Sequence, residues 1–302
     1  MNKQYIQIDC PICGSKKSTG FLSTFDRFDT GRTKWFQLEK CDRCGFIYLN
    51  PRPDESEMGN FYKSAQYDPF ISDTRRKGLH EILYKIVREL NLKSKIRKIQ
   101  RAGIDSKVLD VGCATGEFLE SMKHNGWQVE GVETDIEARK FSESKGVKVY
   151  NSLRNVDGHS VYDIITFWHV LEHVYDLKDT LRRISELLKP GGNLIVALPN
   201  IMCTGASRYG IYWVALDAPR HLYHFSPDSI LKIVTQNGFR FTGSWTLISD
   251  FFYNYLESRS LKHNLLGGWF EMMTGLLLSL SKVVISSRRY ASSLVYNFKK
   301  EH

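Results

Sequence analysis

Residues 107–133 read KVLDVGCATGEFLESMKHNGWQVEGVE, and this stretch decides the fold. Val108, Leu109 and Val111 form a short apolar run, which is typical of a parallel strand buried on both faces. Glycines at both ends of the following loop, residues 112–116, let the backbone turn sharply and approach a ligand closely. The stretch therefore predicts a strand, a glycine-rich turn, a helix and a second strand.

Two acidic residues lie at the carboxyl ends of these strands. Asp110 interrupts the first apolar run, and because a buried carboxylate is costly to desolvate, we expect it to bond to the loop or to a ligand. Glu133 ends the second strand, where an acidic side chain accepts hydrogen bonds from a ribose diol. A dinucleotide site would need a third glycine three residues after the second, which this loop lacks. An ordinary strand-turn-helix is the alternative.

The chain continues as an alternation of helices and strands. Further strands are predicted at 148–150, 162–167, 194–198, 239–247 and 291–298, and helices at 136–145, 176–188 and 226–237. The last strand would run antiparallel to the others, after an insertion over 251–290.

The order of motifs resembles the class I S-adenosylmethionine-dependent methyltransferases. The glycine loop, the Glu172-His173 pair after the fourth strand and the Lys-Pro-Gly-Gly turn at 189–192 carry the resemblance, although Ala114 replaces the family's middle glycine. It implies an α/β, Rossmann-like seven-stranded methyltransferase sheet, with a small N-terminal zinc module and a helical insertion before the last strand. It also implies S-adenosylmethionine bound by Asp110, Gly112, Cys113, Gly116, Glu133, Ser152, Leu153 and Phe167.

Two histidines are candidates for the general base of methyl transfer. His169 follows the fourth strand, where this class brings acceptor and methyl together, so it is the leading candidate. His221, from the aromatic and histidine-rich loop 219–225, is the second. Either histidine is alternatively an ordinary loop residue.

Residues 169–173, HVLEH, also match the pattern of inverted zinc proteases. That chemistry requires both histidines on one face of a regular helix, and here the first histidine ends a strand. We interpret the match as a false positive, with His173 a polar residue that covers a helix start.

Four cysteines form two Cys-x-x-Cys pairs in the first 50 residues: Cys10, Cys13, Cys41 and Cys44. The chain opens without the apolar segment of a signal peptide, so we expect a cytoplasmic protein whose thiols stay reduced. Two such pairs predict a structural zinc site, because four thiolates can converge tetrahedrally on the ion. A redox pair needs a βαβ context that is absent here, and two unrelated pairs remain the other alternative.

The formal net charge of +9 is concentrated in one segment. Residues 75–101 hold ten Lys or Arg against Glu81 and Glu89. We expect a long amphipathic helix here, whose basic face is either solvated or in contact with phosphates. The predicted domains are a zinc module at 1–50, a linker with this helix at 51–103 and a methyltransferase domain at 104–302.

The zinc knuckles, the run CGFIYLNPRP at 44–53 and a nearby Phe-Tyr resemble bacterial methyltransferases that modify sugars or cell-surface glycans. The expected acceptor is therefore an oxygen of a sugar or glycan precursor. The alternatives are an RNA-modifying methyltransferase that uses the zinc module as a reader and a non-catalytic nucleotide-binding subunit. Nucleic acid is disfavoured, because the zinc module lacks a dense Lys/Arg patch.

Apolar residues crowd most of a helix in the insertion. Such a surface must be covered, so residues 267–289 are predicted to form a homodimer contact, a lid or a peripheral contact with an anionic inner membrane. The longest charge-free run, 272–281, is too short to span a bilayer.

Overall fold

The computed structural model describes residues 4–62, 89, 91–99, 106–262 and 290–301. In chain order its strands are β1 Tyr5–Ile6, β2 Ser18–Phe25, β3 Trp35–Cys41, β4 Ile47–Leu49, β5 Arg52–Pro53, β6 Lys107–Val111, β7 Gln128–Val132, β8 Lys148–Tyr150, β9 Tyr162–Trp168, β10 Leu188–Pro199, β11 Tyr223–His224, β12 Phe239–Thr246 and β13 Ser293–Lys300. The helices are α1 Glu55–Tyr62, α2 Glu117–His124, α3 Ile136–Ser144, α4 Leu177–Leu187, α5 Thr204–Tyr209, α6 Pro227–Thr235 and α7 Ile248–Lys262, and residues 91–99 are also helical.

Seven strands form the main sheet, in the order β12-β13-β10-β9-β6-β7-β8. The central pairs are parallel, whereas β13 is antiparallel to both of its neighbours. The predicted Rossmann-like methyltransferase sheet is confirmed, with its last strand inserted antiparallel. Strand β6, the first of the parallel strands along the chain, is the middle strand of the parallel unit β10-β9-β6-β7-β8. The loop that follows it lies at the carboxyl edge of the sheet, where such sheets bind ligands.

The side chains of successive residues of β6 point to opposite faces of this sheet, as in any strand. Leu109 and Val111 join one buried cluster, and Val108 joins the other with Phe118 and Leu119 of α2. All five side chains are less than 10% exposed. The burial of both faces explains why the strand reads as a nearly continuous apolar run.

One local prediction differs from the structure. The Lys-Pro-Gly-Gly segment, expected as a turn between α4 and a strand, lies inside β10 as an irregularity. The pairing with β9 shifts between Leu188, opposite Tyr162, and Asn193, opposite Ile164. The helix ends directly at the strand, so the extra residues loop out of the ladder instead of separating two elements.

The N-terminal residues form a four-stranded sheet of order β11-β4-β3-β2. Its edge strand β11 comes from the loop before α6, and the backbone N–H of Leu49 donates to the carbonyl of Leu222 at 2.9 Å. The cysteine-bearing segment and the main sheet also share one buried apolar cluster. The segment at 1–50 is thus joined to the rest of the chain by a strand pairing and a common core.

A buried ion network fixes the same junction. The guanidinium of Arg220 is fully buried and donates to Asp217 at 2.7 Å and to Asp26 at 2.8 Å. Arg27 donates to Asp217 at 2.8 Å. Burial alone would raise the pKa of Asp217, but Arg27 and Arg220 outweigh it and hold that pKa well below its usual range. The N-terminal sheet and the loop that carries His221 are therefore clamped together.

Two predicted features lie largely or wholly outside the described residues. Most of the basic segment at 75–101 does, although residues 91–99 are helical as expected. The apolar stretch at 267–289 lies wholly outside. Among the helices that the structure does describe, none has the length and apolar character needed to cross a membrane.

Candidate active site and metal centre

The glycine loop after β6 is built from left-handed backbone. Gly112 and Gly116 both have φ 74°, and Ala114 has φ 46°. A Cβ on Gly112 would lie 2.4 Å from a methyl group of Val170, and one on Gly116 would lie 2.2 Å from the hydroxyl of Ser142. Both ends of the loop therefore require glycine for conformation and for space.

Glu133 is tied to this loop from the neighbouring strand. One carboxylate oxygen accepts from the backbone N–H of Ala114 and the other from that of Asp135, each at 2.9 Å. The side chain is half-buried, and a carboxylate with two bonds keeps lone pairs for further donors. Its position and chemistry fit a ribose diol at the edge of the sheet.

Asp110 is buried, and its hydrogen-bond partner is Thr166 on the adjacent strand β9; the sequence predicted a bond to the loop or to a ligand, and the bond to a ligand stays a prediction. The hydroxyl of Thr166 donates to Asp110 at 2.6 Å. Burial and, to a smaller extent, nearby Glu133 raise the pKa of Asp110, Thr166 and Lys95 lower it, and the net result is a pKa of about 7. A group with this pKa lies beside the glycine loop in a mixture of charged and neutral forms at neutral pH.

Lys95 joins the site from the helical residues 91–99. Its ammonium lies 4.2 Å from the centroid of the Trp168 ring, at the end of β9. Burial lowers its pKa, while Asp250 and Asp110 raise it. In the sequence Lys95 is one of several cations of a basic segment, and its cation–π contact with Trp168 depends on packing that the sequence does not show.

His169 follows β9 in the left-handed region, with φ 59°. Its Nε2 lies 2.7 Å from a carboxylate oxygen of Asp250 in α7, and its Nδ1 lies 3.5 Å from Glu172. Burial by itself would lower the pKa of His169, but Asp250 and Glu172 raise it to about 10. The ring is thus a charged group between two carboxylates, hydrogen-bonded to Asp250 and within ion-pair distance of Glu172. Asp250 was not predicted, and no local pattern marks it.

Glu172 is the most enclosed acidic group of the site, with its side chain 1% exposed. Within the described residues neither of its oxygens has a hydrogen-bond partner. Burial would raise its pKa, but His169, His221 and His173 outweigh this and lower it. A buried carboxylate without hydrogen bonds, surrounded by imidazoles, is an acceptor for a cation or for a donor on a ligand.

His221 and His173 pack edge to face beside Glu172, with ring centroids 4.7 Å apart. His221 Nδ1 is 2.9 Å from the carbonyl of Ala215, and His173 Nδ1 is 3.0 Å from that of Arg220. Burial and the neighbouring His173 lower the pKa of His221 to about 4. Both candidate histidines, His169 and His221, therefore face Glu172 from opposite segments of the chain.

The other residues predicted to bind the cofactor occupy varied positions. Ser152 caps the short 3-10 helix Leu153–Asn155, which follows β8 at the same edge of the sheet. Cys113 and Phe167 are buried, and Phe167 is 0% exposed within the apolar core. Only the backbone of Phe167 is therefore placed to meet a ligand.

The four predicted zinc ligands converge. The sulfurs of Cys10 and Cys44 are 3.5 Å apart, as are those of Cys13 and Cys41, and all four lie within 4.8 Å of one another. A tetrahedral zinc site with bonds of about 2.3 Å places its sulfurs roughly 3.8 Å apart. None of these four thiols forms a disulfide, so all four are available to a metal ion. The number, type and spacing of the sulfurs fit a zinc ion.

Each cysteine pair lies on a matched turn. The N–H of Gly14 donates to the carbonyl of Cys10 at 2.8 Å, and the N–H of Gly45 to that of Cys41 at 2.9 Å. The two glycines have φ 69° and 73°. The left-handed glycine lets each turn close behind its second cysteine.

Comparison with known proteins agrees with this fold. The profile of the methyltransferase domain family matches residues 78–242, which is more than half of the chain. The fold and the loop at the carboxyl edge are those of a class I S-adenosylmethionine-dependent methyltransferase. The chain belongs to the methyltransferase domain family.

Among curated proteins the chain is similar to a ubiquinone biosynthesis O-methyltransferase of Yersinia pestis, with 36% identity over 113 residues. That match covers 34% of this chain and 47% of the relative, so the chain spans about half the length of the curated relatives it matches.

Two solved structures share the fold. Haemonchus contortus phosphoethanolamine N-methyltransferase 2, in complex with S-adenosyl-L-methionine, has a TM-score of 0.52 at 16% identity, covering 93% of this chain and 68% of its own. Burkholderia thailandensis 1,6-didemethyltoxoflavin-N1-methyltransferase, with S-adenosylhomocysteine, has a TM-score of 0.51 at 15% identity, covering 88% and 96%.

Proposed function

We propose that this protein transfers a methyl group from S-adenosylmethionine to an oxygen of a sugar or glycan precursor. The observation that carries the proposal is the arrangement at the carboxyl edge of the sheet. A glycine loop tied to Glu133 lies beside a polar cluster of His169, Glu172 and His221. The glycine loop and Glu133 would bind the cofactor, and the polar cluster would bind an acceptor that forms hydrogen bonds.

The residues of the first half fit S-adenosylmethionine. Gly112 and Gly116 bring bare backbone to the end of β6, where the methionine moiety of the cofactor would lie, and Glu133 would accept from the ribose hydroxyls. Ser152 and Leu153, at the end of β8, would flank the adenine. When bound, the cofactor supplies a methyl group already activated by its sulfonium, so the protein mainly aligns the reactants.

The second half favours a hydroxylated acceptor. Glu172 is buried without hydrogen bonds among the described residues, and an apolar acceptor would leave it so. Hydroxyl groups of a sugar would donate to this carboxylate and accept from the charged ring of His169. The similarity to an O-methyltransferase supports oxygen as the atom that is methylated. Because its pKa is raised to about 10, His169 holds its own proton and would act as a donor to the acceptor. His221, whose pKa is lowered to about 4, therefore becomes the first candidate to remove the acceptor's proton.

The cysteine cluster is proposed as a structural zinc site. The N-terminal segment is too short to build a large core of its own, and a metal would supply stability that such a segment cannot obtain by burial alone. Because this segment is paired with β11 and clamped by Arg220, the ion would also steady the loop that carries His221.

The test is methyl transfer by the full-length protein to a panel of acceptors: nucleotide sugars, a lipid-linked glycan precursor, phenols and RNA. Formation of S-adenosylhomocysteine, measured by mass spectrometry, reports turnover. We expect turnover with the sugar acceptors only. Turnover with RNA would establish the nucleic-acid alternative, and cofactor binding with no turnover on any acceptor would favour the non-catalytic one.

A further inference from the structure

The tertiary structure places the HVLEH motif at 169–173 beside a histidine from a distant segment, His221. Residues Leu171–His173 form a single 3-10 turn directly after β9, so the two histidines of the motif do not share a regular helix and the protease interpretation fails. The second half of the motif nevertheless meets a histidine from elsewhere. One ligand atom from each of Glu172, His173 and His221 lies within 4.8 Å of the other two.

Glu172 pairs with the charged ring of His169 at 3.5 Å, too far for a well-formed hydrogen bond, and keeps both oxygens available for a closer cation. Its side chain is 1% exposed, and both of its oxygens lack a hydrogen bond among the described residues. A buried carboxylate without bonds costs several kcal/mol or more unless a cation or donor compensates it. Its Oε1 lies 4.0 Å from Nε2 of His221, a separation that leaves space between them.

The two histidines are held as metal-binding histidines commonly are. In each ring Nδ1 faces a backbone carbonyl, that of Ala215 for His221 at 2.9 Å and that of Arg220 for His173 at 3.0 Å. Nδ1 of His173 also lies 3.0 Å from the hydroxyl of Tyr62, which can accept as well as donate. Because a carbonyl only accepts, the tautomer that satisfies it has the proton on Nδ1 and leaves the lone pair on Nε2. Such a hydrogen bond to the outer nitrogen fixes the tautomer and orients a ligating ring.

The backbone holds the ligands in register. The N–H of Leu222 donates to the carbonyl of Glu172 at 2.8 Å, which joins the two ligand-bearing segments directly. The N–H of His221 donates to the carbonyl of Asp217 at 3.0 Å. These backbone hydrogen bonds therefore hold the segments that carry Glu172 and His221 at a fixed distance from each other.

We propose that Glu172, His173 and His221 form a binding site for a divalent transition-metal ion of the zinc, cobalt or manganese type. Metal–ligand bonds of about 2.0 to 2.2 Å place two ligands of a tetrahedral ion roughly 3.4 Å apart, so Glu172 and His221, 4.0 Å apart, would need to close by about 0.6 Å around the ion. One carboxylate and two imidazoles suit these ions.

Three protein ligands leave coordination positions open, as in catalytic and not structural sites. A ligand with adjacent oxygens, such as a vicinal diol, would fill them, and this assignment of substrate class rests on the proposed function. The metal site itself does not depend on methyl transfer.

Cobalt(II) titration of the full-length, metal-stripped protein under reducing conditions tests the site. Cobalt bound to thiolates gives an intense sulfur-to-metal charge-transfer band, whereas cobalt bound to nitrogen and oxygen does not. We expect two cobalt ions per wild-type chain, of which only one produces this band. A single ion accompanied by the band, with no second site, overturns the proposal even if no variant folds.

Two variants locate the second ion. Glu172→Gln and His221→Gln are expected to weaken it by more than the roughly 10- to 100-fold that loss of an outer-shell partner costs, with the thiolate band unchanged. His224→Gln is the matched control, because His224 is buried on the same loop but does not belong to the cluster. Retention of the second ion by Glu172→Gln, or its loss in His224→Gln alone, contradicts the assignment. The readout is metal content, so failure of the methyl-transfer proposal would leave it unaffected.

Discussion

Replacement of Glu133 tests the cofactor site most directly. Each of its carboxylate oxygens accepts a backbone N–H at 2.9 Å, one from Ala114 in the glycine loop and one from Asp135. The Glu133→Ala variant removes the charged acceptor assigned to the ribose and releases the loop. Loss of hydrogen bonds to a charged group costs about 1.5 to 3 kcal/mol, which corresponds to roughly 12- to 140-fold weaker binding of S-adenosylmethionine.

Isothermal calorimetry with S-adenosylmethionine measures this change. The matched control is Glu137→Ala, because Glu137 is an exposed carboxylate close by in sequence whose surface ion pair with Lys140 contributes little. We also expect an intermediate loss for Glu133→Gln, whose amide oxygen still accepts one hydrogen bond but carries no charge. Thermal unfolding of each variant separates loss of the site from loss of the fold.

Equal affinities for wild type and Glu133→Ala would refute the assignment of the ribose to this residue. An equal loss in Glu137→Ala would show a general electrostatic effect. Absence of binding by the wild-type protein would remove the cofactor proposal altogether.

Three further predictions follow from buried groups. The double variant Cys41→Ser, Cys44→Ser should lose the metal held by the cysteine cluster, as measured by elemental analysis and by loss of the thiolate band in cobalt-substituted protein. Asp110 has a pKa raised to about 7, so between roughly pH 4 and 7 the folded protein binds more protons than the unfolded chain, and stability should fall as pH rises, by up to about 1.4 kcal/mol per unit. Asp110→Asn should remove that part of the slope in denaturant unfolding. Arg220→Met should destabilise the protein by about 3 to 5 kcal/mol, because it leaves Asp217 buried with one cation fewer.

Each of these has an outcome that would contradict it. Full metal content in the cysteine variant would place the ion elsewhere. Identical pH dependence of unfolding in wild type and Asp110→Asn would mean that Asp110 has an ordinary pKa. Arg182→Met is the control for the buried arginine, because Arg182 is 61% exposed and ion pairs at the surface contribute little to stability. Equal destabilisation of both variants would mean that the buried network has no special role.

The sequence by itself determined the fold class and most of the elements. Hydrophobic periodicity and turn residues are local properties, and they placed α2, α3 and the parallel strands within a few residues. The glycine loop and Glu133 were recognisable because backbone that approaches a ligand closely has few residue types to choose from. The convergence of the four cysteines was also predictable, since two Cys-x-x-Cys pairs at that spacing are typical of a metal site.

Only the tertiary structure decided which groups meet at the site. Asp250 reaches His169 across 81 residues, and Lys95 lies over Trp168, because helices from distant segments pack on the same sheet edge. The same is true of β11, which a two-residue segment contributes to the N-terminal sheet. Long-range contacts of this kind depend on packing and on backbone pairing, and neither leaves a periodic mark in the chain.

The HVLEH motif shows the same division. Its residues were visible in the sequence, and its failure as a regular helix was correctly inferred from the strand before it. The approach of His221 to Glu172 could not be inferred from the sequence. It follows from the hydrogen bond between Leu222 and Glu172 and from the buried ion network around Arg220. Residue types are fixed by sequence, but their chemistry at a site depends on burial and on neighbours that only the folded chain brings together.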